Sequence, residues 1–127
     1  MNFARRVFSI AGIYGILVMF PEYFMESKIG QDSPPPITHP EFFYGFIGVT
    51  LAFQVVFLFI GRDPVRYRNV MIPCMFEKIA FAAAVPVLYI LGRVSGMVLG
   101  FAMIDLLFLA LFILAFLKTP IANLVQD

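Results

Sequence analysis

Twenty consecutive residues, from Phe42 to Gly61, carry no charged side chain and read FFYGFIGVTLAFQVVFLFIG. A helix needs about 20 residues, each rising about 1.5 Å, to cross the roughly 30 Å hydrocarbon core of a bilayer. A second long apolar stretch, Val94 to Leu117, is interrupted by one charge, at Asp105. Both stretches predict helices that span a membrane.

The composition of the whole chain points the same way. Of its 127 residues, 61% are hydrophobic and 13% are charged, and the mean hydropathy is +0.93. Soluble domains are close to half apolar and a quarter charged, and a soluble domain this small would expose much of its apolar surface. We therefore expect an all-α integral membrane protein that forms one domain over residues 1–127.

Two shorter apolar stretches become spans when their flanks are included. Val7 to Pro21 is uncharged and extends in both directions. Ile79 to Gly92 covers only about 21 Å at helical rise, so its helix must begin before Lys78. The prediction is a bundle of four transmembrane helices, at about 3–25, 41–61, 70–92 and 95–118.

The basic residues divide unequally between the two sides of this bundle. Short loops rich in lysine and arginine stay in the cytoplasm, so the richer side is predicted to be cytoplasmic, together with both termini. Two basic residues, Lys28 and Arg93, fall on the poorer side. The richer side carries Arg5, Arg6, Arg62, Arg66, Arg68 and Lys118.

Residue counts exclude several kinds of function. A single cysteine, Cys74, forms no intrachain disulfide and no two-thiol redox centre. The single histidine, His39, cannot supply both axial ligands of a b-type haem. No run of basic residues indicates a nucleic-acid partner. Glu22, Glu26 and His39 fall together near the poorer side, and a cation site there stays open against a solvated acidic loop; we expect no metal and no cofactor.

Small residues predict where helices touch, because helix contacts in lipid depend on close packing. The first helix offers Ala11 and Gly15, with Gly12 adjacent, and the third has Ala80, Ala83 and Ala84. Gly48 in the second helix and Gly100 in the fourth are predicted to face other helices rather than lipid. A homodimer face is the alternative use of these residues.

Five polar residues within the spans form a predicted polar layer. A charge at the centre of a bilayer costs at least about 2.5–3.5 kcal/mol, so each charged residue of this layer needs a partner. The connection Gly92–Gly96 is short and makes the third and fourth helices an antiparallel hairpin. The layer consists of Glu77, Lys78, Asp105, Gln54 and Tyr14.

Within this layer we predict that Lys78 pairs with Asp105 across the hairpin, and that Glu77 accepts a hydrogen bond from Tyr14 or Gln54. Two uses of the layer stay open: mutual satisfaction that fixes helix register, or a ligand pocket or proton path with titrating carboxylates. In a third arrangement, the residues from Pro64 to Phe76 lie flat on the membrane surface, and Glu77 and Lys78 sit at its interface.

The loop after the second helix reads Arg62-Asp63-Pro64-Val65-Arg66-Tyr67-Arg68, and Glu77-Lys78 follows about ten residues later. Asp63 suits a helix cap, and the three arginines are expected to meet anionic lipid headgroups. This pattern resembles small bacterial four-helix membrane proteins close in size and layout to the DoxX-like group. The resemblance implies a four-helix bundle in a bacterial inner membrane and carries over no catalytic residue.

Three classes of function are compatible with these features. The first is a protein that binds or transports a small apolar or amphiphilic molecule at the polar layer. The second is an accessory subunit that packs against a larger membrane complex, or a homo-oligomer, through its small residues. The third is an enzyme that acts on a lipid-like substrate, and we expect a non-enzymatic role over this one. Membrane lipids are partners in all three.

Overall fold

The computed structural model describes residues 2–122, and these form helices and turns with no strand among them. Short 3₁₀ turns at Phe20–Phe24 and Arg68–Val70 extend the first long helix and precede the third. The five α-helices are α1 (Asn2–Met19), α2 (Glu26–Asp32), α3 (Pro40–Arg62), α4 (Met71–Ile90) and α5 (Gly96–Lys118).

Four segments among the described residues are each 23 residues long and apolar enough to cross a membrane: Asn2–Phe24, Pro40–Arg62, Arg68–Ile90 and Gly96–Lys118. The prediction of an all-helical chain with four candidate spans is therefore confirmed. We call the end of the bundle that carries Arg62 and Lys118 the basic end. The opposite end, which carries α2 and the turn between α4 and α5, is the loop end.

The four long helices form two antiparallel hairpins. α1 packs mainly on α3, α4 packs mainly on α5, and a contact of α1 with α5 joins the two hairpins. Gly92 ends the turn after α4 with a φ of 72°, which glycine adopts at little cost. Ser95 then caps α5 by accepting a hydrogen bond on Oγ from the backbone N of Val98 at 3.4 Å.

The hairpins meet through aromatic residues near the basic end. The rings of Phe8 and Phe112 stack with centroids 4.2 Å apart, and Phe57 meets Phe112 edge-on at 5.0 Å. All three side chains are fully buried. Offset-stacked and edge-to-face pairs are the preferred aromatic geometries, so this cluster joins α1, α3 and α5 at one point.

The small residues predicted to lie between helices divide into two groups. Gly12 and Gly15 of α1 are buried against α3, and Gly48 lies beside the hydroxyl of Tyr23, as expected. The prediction for Gly100 is wrong, because Gly100 is exposed with no atom within 4 Å of a Cβ placed there. Gly100 lies two residues, about 200° around the helix, from Ala102, which faces the interior.

Other small residues share the outward orientation of Gly100. Gly45 and Gly96 have open space around them, and the alanines predicted for a seam of the third span, Ala80, Ala83 and Ala84, are exposed. In α4 the inward positions are taken instead by a stripe at helical spacing: Met71, Cys74, Lys78, Ala82 and Val85.

The ends of α2 and α4 fix the positions of several polar residues and prolines. Gln31 and Asp32 end α2, so the irregular part of the loop begins after them. Pro73 lies in the first turn of α4, where a backbone N–H has no partner within the helix, so a proline is tolerated there. Pro86 does lie inside α4. α4 runs without a break from Met71 through Glu77 and Lys78, so residues 71–76 belong to this helix and form no separate surface segment.

Candidate functional site

Lys78 and Asp105 are partners across the α4–α5 hairpin, as predicted. Lys78 Nζ donates to Asp105 Oδ1 at 3.3 Å. The two side chains are 5% and 17% exposed, so this is an ion pair of the bundle interior. Leaving either charge alone in an apolar interior would cost roughly several kcal/mol. The short connection between α4 and α5 places these two helices side by side, so each charge can reach the other.

Glu77 is the second carboxylate beside the same ammonium group. Its Oε2 lies 3.6 Å from Lys78 Nζ, and its side chain is 15% exposed. Sequence neighbours on a helix point about 100° apart, so Glu77 and Lys78 do not face each other directly. The 3.6 Å between Oε2 and Nζ is too long for a hydrogen bond, and Oε2 has no hydrogen-bond partner among residues 2–122. We call Glu77, Lys78 and Asp105 the ionic cluster. Two carboxylates and one ammonium leave one negative charge in excess when all three are ionised.

Aromatic rings enclose the ammonium group of this cluster. Lys78 Nζ lies 5.2 Å from the ring centroid of Phe57 and 5.7 Å from that of Phe108. Both distances fall within the range of cation–π attraction, which strengthens where water is excluded. Tyr14 adds to this wall, because its ring packs on Phe108 with centroids 5.5 Å apart. The lysine is therefore held by charge and by ring faces together.

Gln54 and Tyr14 do not donate to Glu77, and that part of the predicted layer is wrong. Gln54 Nε2 donates to the backbone carbonyl of Thr50 at 2.9 Å, one turn earlier in α3. Its Oε1 is buried without a conventional partner and lies where a Cβ of Gly15 would stand. A weak hydrogen bond from the Cα–H of that glycine suits this position. The amide therefore belongs to the α1–α3 contact and not to the ionic cluster.

The polar residues at the loop end have separate partners. Tyr44 Oη donates to Glu26 Oε2 at 2.8 Å, while His39 Nδ1 lies 3.4 Å from Glu41 Oε1. Across the described part of the chain, no group of three or more His, Cys, Asp or Glu side chains is placed to hold a metal ion. The predicted cluster of Glu22, Glu26 and His39 is thus not assembled as a site.

Two surface hollows lie at opposite ends of the bundle, and no residue of the ionic cluster lines either of them. One, of about 290 Å³, lies between α2 and the loop that follows, and includes Gly30 and Pro36. The other, of about 330 Å³, lies at the basic end between the end of α3 and Tyr67. Neither hollow therefore opens onto the ionic cluster.

Two of the basic-end arginines act on helix ends, which sequence reasoning missed. Arg5 Nη1 donates to the carbonyl of Arg62 at the end of α3, at 2.6 Å. Arg68 Nε donates to the carbonyl of Thr119 after α5, at 2.8 Å, and its guanidinium lies 3.8 Å from the ring centroid of Phe116. Carbonyls at helix C-termini lack partners and attract cations. Arg68 thus caps the end of α5 through Nε, and its contact with lipid headgroups stays a prediction.

Comparisons of this chain with protein-family models, with curated proteins and with solved structures find no match. The resemblance to the DoxX-like group therefore stays a prediction.

Proposed function

We propose that this protein binds a small amphiphilic cation at the ionic cluster of Glu77, Lys78 and Asp105. The observation that carries the proposal is the excess negative charge of that cluster. Both carboxylates contact a single ammonium group, and an uncompensated charge within a membrane span is costly. A positive charge on a ligand, or a proton when no ligand is bound, offsets it.

The surroundings of Glu77 support a ligand with an apolar body. The Glu77 side chain is 15% exposed and that of Lys78 is 5% exposed, so a cation approaches the cluster along the Glu77 side chain rather than along Lys78. Phe76 and Ile79, which flank the pair along α4, are exposed apolar side chains. A positive charge carried on hydrocarbon suits a carboxylate bordered in this way, since the hydrocarbon stays out of water on the lipid-facing surface.

Binding of a lipophilic cation tests the proposal. We expect detergent-purified protein to bind tetraphenylphosphonium, and Glu77→Gln to weaken that binding at least about tenfold, the equivalent of about 1.4 kcal/mol. We also expect the affinity of the unsubstituted protein to fall as the pH is lowered, because protons compete for the same carboxylates. Equilibrium dialysis with labelled cation at several pH values measures both effects.

Glu41→Gln is the matched control for this experiment. It removes one carboxylate from an exposed position at the loop end and leaves the ionic cluster intact, so its affinity should equal that of the unsubstituted protein. Equal binding by all three proteins, or binding that does not change with pH, would refute the cluster as the site. Absence of binding in every protein would favour the second candidate function.

That second candidate is an accessory subunit of a larger membrane complex. It is favoured by the outward-facing small residues, since Gly96 and Gly100 of α5 have open space around them and Ala80 and Ala84 of α4 are exposed. Small residues four apart allow close approach of a neighbouring helix. Ordinary lipid contact accounts for the same surface, so the ionic cluster carries the first proposal more directly.

We further propose that the protein resides in a bacterial inner membrane with both termini in the cytoplasm. The excess of lysine and arginine at the basic end supports this orientation. A fluorescent-protein fusion at Asp127, which lies outside the described residues, should fluoresce, and alkaline phosphatase inserted between Ser33 and Pro36 should be active. The reverse pattern of the two reporters would contradict the orientation.

A further inference from the structure

We propose that Arg62 and Arg66 at the basic end, with the ring of Tyr67 beside them, bind the phosphate group of an anionic membrane phospholipid. These side chains, with Phe59 and Asp63, line the hollow of about 330 Å³ at the end of α3. This site is separate from the ionic cluster and does not depend on the proposed cation binding.

The arginines at the basic end differ in what their guanidinium groups do. Those of Arg5 and Arg68 donate to backbone carbonyls at the ends of α3 and α5. Arg62 and Arg66, by contrast, are exposed, and their guanidinium groups have no hydrogen bond or salt bridge within residues 2–122. Two unpaired guanidinium groups that line one hollow are suited to a phosphate, which accepts several hydrogen bonds in a fork geometry.

The backbone holds these two arginines around the hollow. Asp63 Oδ1 accepts from the backbone N of Arg66 at 3.3 Å, and Tyr67 N donates to the carbonyl of Asp63 at 3.1 Å. This capped turn begins directly after Arg62, so it brings Arg66 back beside the end of α3. With both arginines and Asp63 charged, the hollow keeps one positive charge in excess.

The other side of the hollow is apolar and continues onto a membrane-spanning helix. The rings of Phe59 and Tyr67 lie with centroids 6.3 Å apart, and the Arg66 guanidinium lies 5.4 Å from the Tyr67 ring. Phe59 is exposed on α3, one turn into the span. A phospholipid places its phosphate at the membrane interface and its acyl chains along such a surface, whereas a soluble phosphate gains nothing from Phe59. This selects a lipid as the occupant.

Retention of lipid by the full-length protein in native mass spectrometry tests the inference. The probe is phosphatidylglycerol, with phosphatidylcholine and glycerol phosphate as comparison ligands. We expect phosphatidylglycerol to bind more tightly than phosphatidylcholine, and Arg62→Gln/Arg66→Gln to lower its affinity about 30-fold, as the loss of two interfacial arginines would. Glycerol phosphate at millimolar concentration should not displace it.

Arg6→Gln/Arg93→Gln is the matched control, since it removes two exposed positive charges outside the hollow. Its affinity for phosphatidylglycerol should stay within about twofold of the unsubstituted protein. An equal loss in both double variants would overturn the site in favour of a general effect of charge. Displacement by glycerol phosphate, or equal affinity for phosphatidylcholine, would also overturn it. A melting temperature for each double variant verifies that the fold is intact.

Discussion

Replacement of Gly12 by leucine should lower the free energy of unfolding by about 3 kcal/mol, at the upper end of the usual cost of overpacking. A Cβ at this position would lie 2.9 Å from the backbone carbonyl oxygen of Gln54 and 2.7 Å from Leu58 Cδ2. A side-chain tip can move aside, but the carbonyl belongs to α3. The two helices must therefore separate, and the loss includes the contacts around Gly15. Unfolding in mixed micelles, followed by circular dichroism, measures the change.

Gly100→Leu is the control that makes this result specific. A Cβ at Gly100 meets no atom within 4 Å, and leucine has the higher helix propensity. We expect its free energy of unfolding to match that of the unsubstituted protein or to exceed it slightly. If the Gly12→Leu and Gly100→Leu variants are equally stable, the backbone of α3 at Gln54 does not approach Gly12 of α1 as closely as the 2.9 Å given above.

Replacement of Lys78 by methionine is expected to destabilise the protein by a similar amount, about 3 kcal/mol, because breaking a buried ion pair leaves an uncompensated charge. Methionine keeps much of the length and the apolar contacts of the lysine stem, so the lost charge dominates. Asp105 and Glu77 then lie in the interior with no cation beside them. The same micelle unfolding experiment gives the free energy.

A triple variant separates charge from packing in this result. Glu77→Gln/Lys78→Met/Asp105→Asn removes all three charges of the ionic cluster while keeping similar shapes. Since neutral replacements of a whole buried ion pair are often tolerated, the triple variant should recover most of the stability that Lys78→Met loses. If it is as unstable as Lys78→Met, the loss comes from packing and the ion pair contributes little.

If these outcomes hold, the ionic cluster has two roles that use different atoms. The contact of Lys78 Nζ with Asp105 Oδ1 joins α4 to α5 and sets their register. Glu77 Oε2, which has no hydrogen-bond partner among the described residues, supplies the excess charge. Glu77→Gln should therefore affect cation binding more than stability, and Lys78→Met the reverse.

Much of this architecture follows from the sequence alone. An apolar run of about 20 residues predicts a span because of bilayer thickness, and the structure has helices at the four predicted places. The pairing of Lys78 with Asp105 was also predictable. A charge inside an apolar run needs a partner, and the short connection after α4 leaves few residues within reach of each.

Only the tertiary structure decided which face of each helix turns inward. In a soluble helix, the alternation of polar and apolar residues marks the buried side. In this chain both the outward and the buried faces of the helices are apolar, so that signal is lost, and glycine occurs on both: Gly12 is buried and Gly100 is exposed.

For the same reason, the sequence does not show that Gln54 lies apart from the ionic cluster, or that the basic-end arginines have different partners. The sequence groups Gln54 with Glu77 in one polar layer, yet the rotation of α3 turns the Gln54 amide toward Gly15 of α1. Arg5 and Arg68 reach carbonyls that lie 57 and 51 residues away in sequence. Length and charge are properties of a segment, so the sequence determines them; rotation and long-range reach are set by how helices pack, and only the folded bundle determines those.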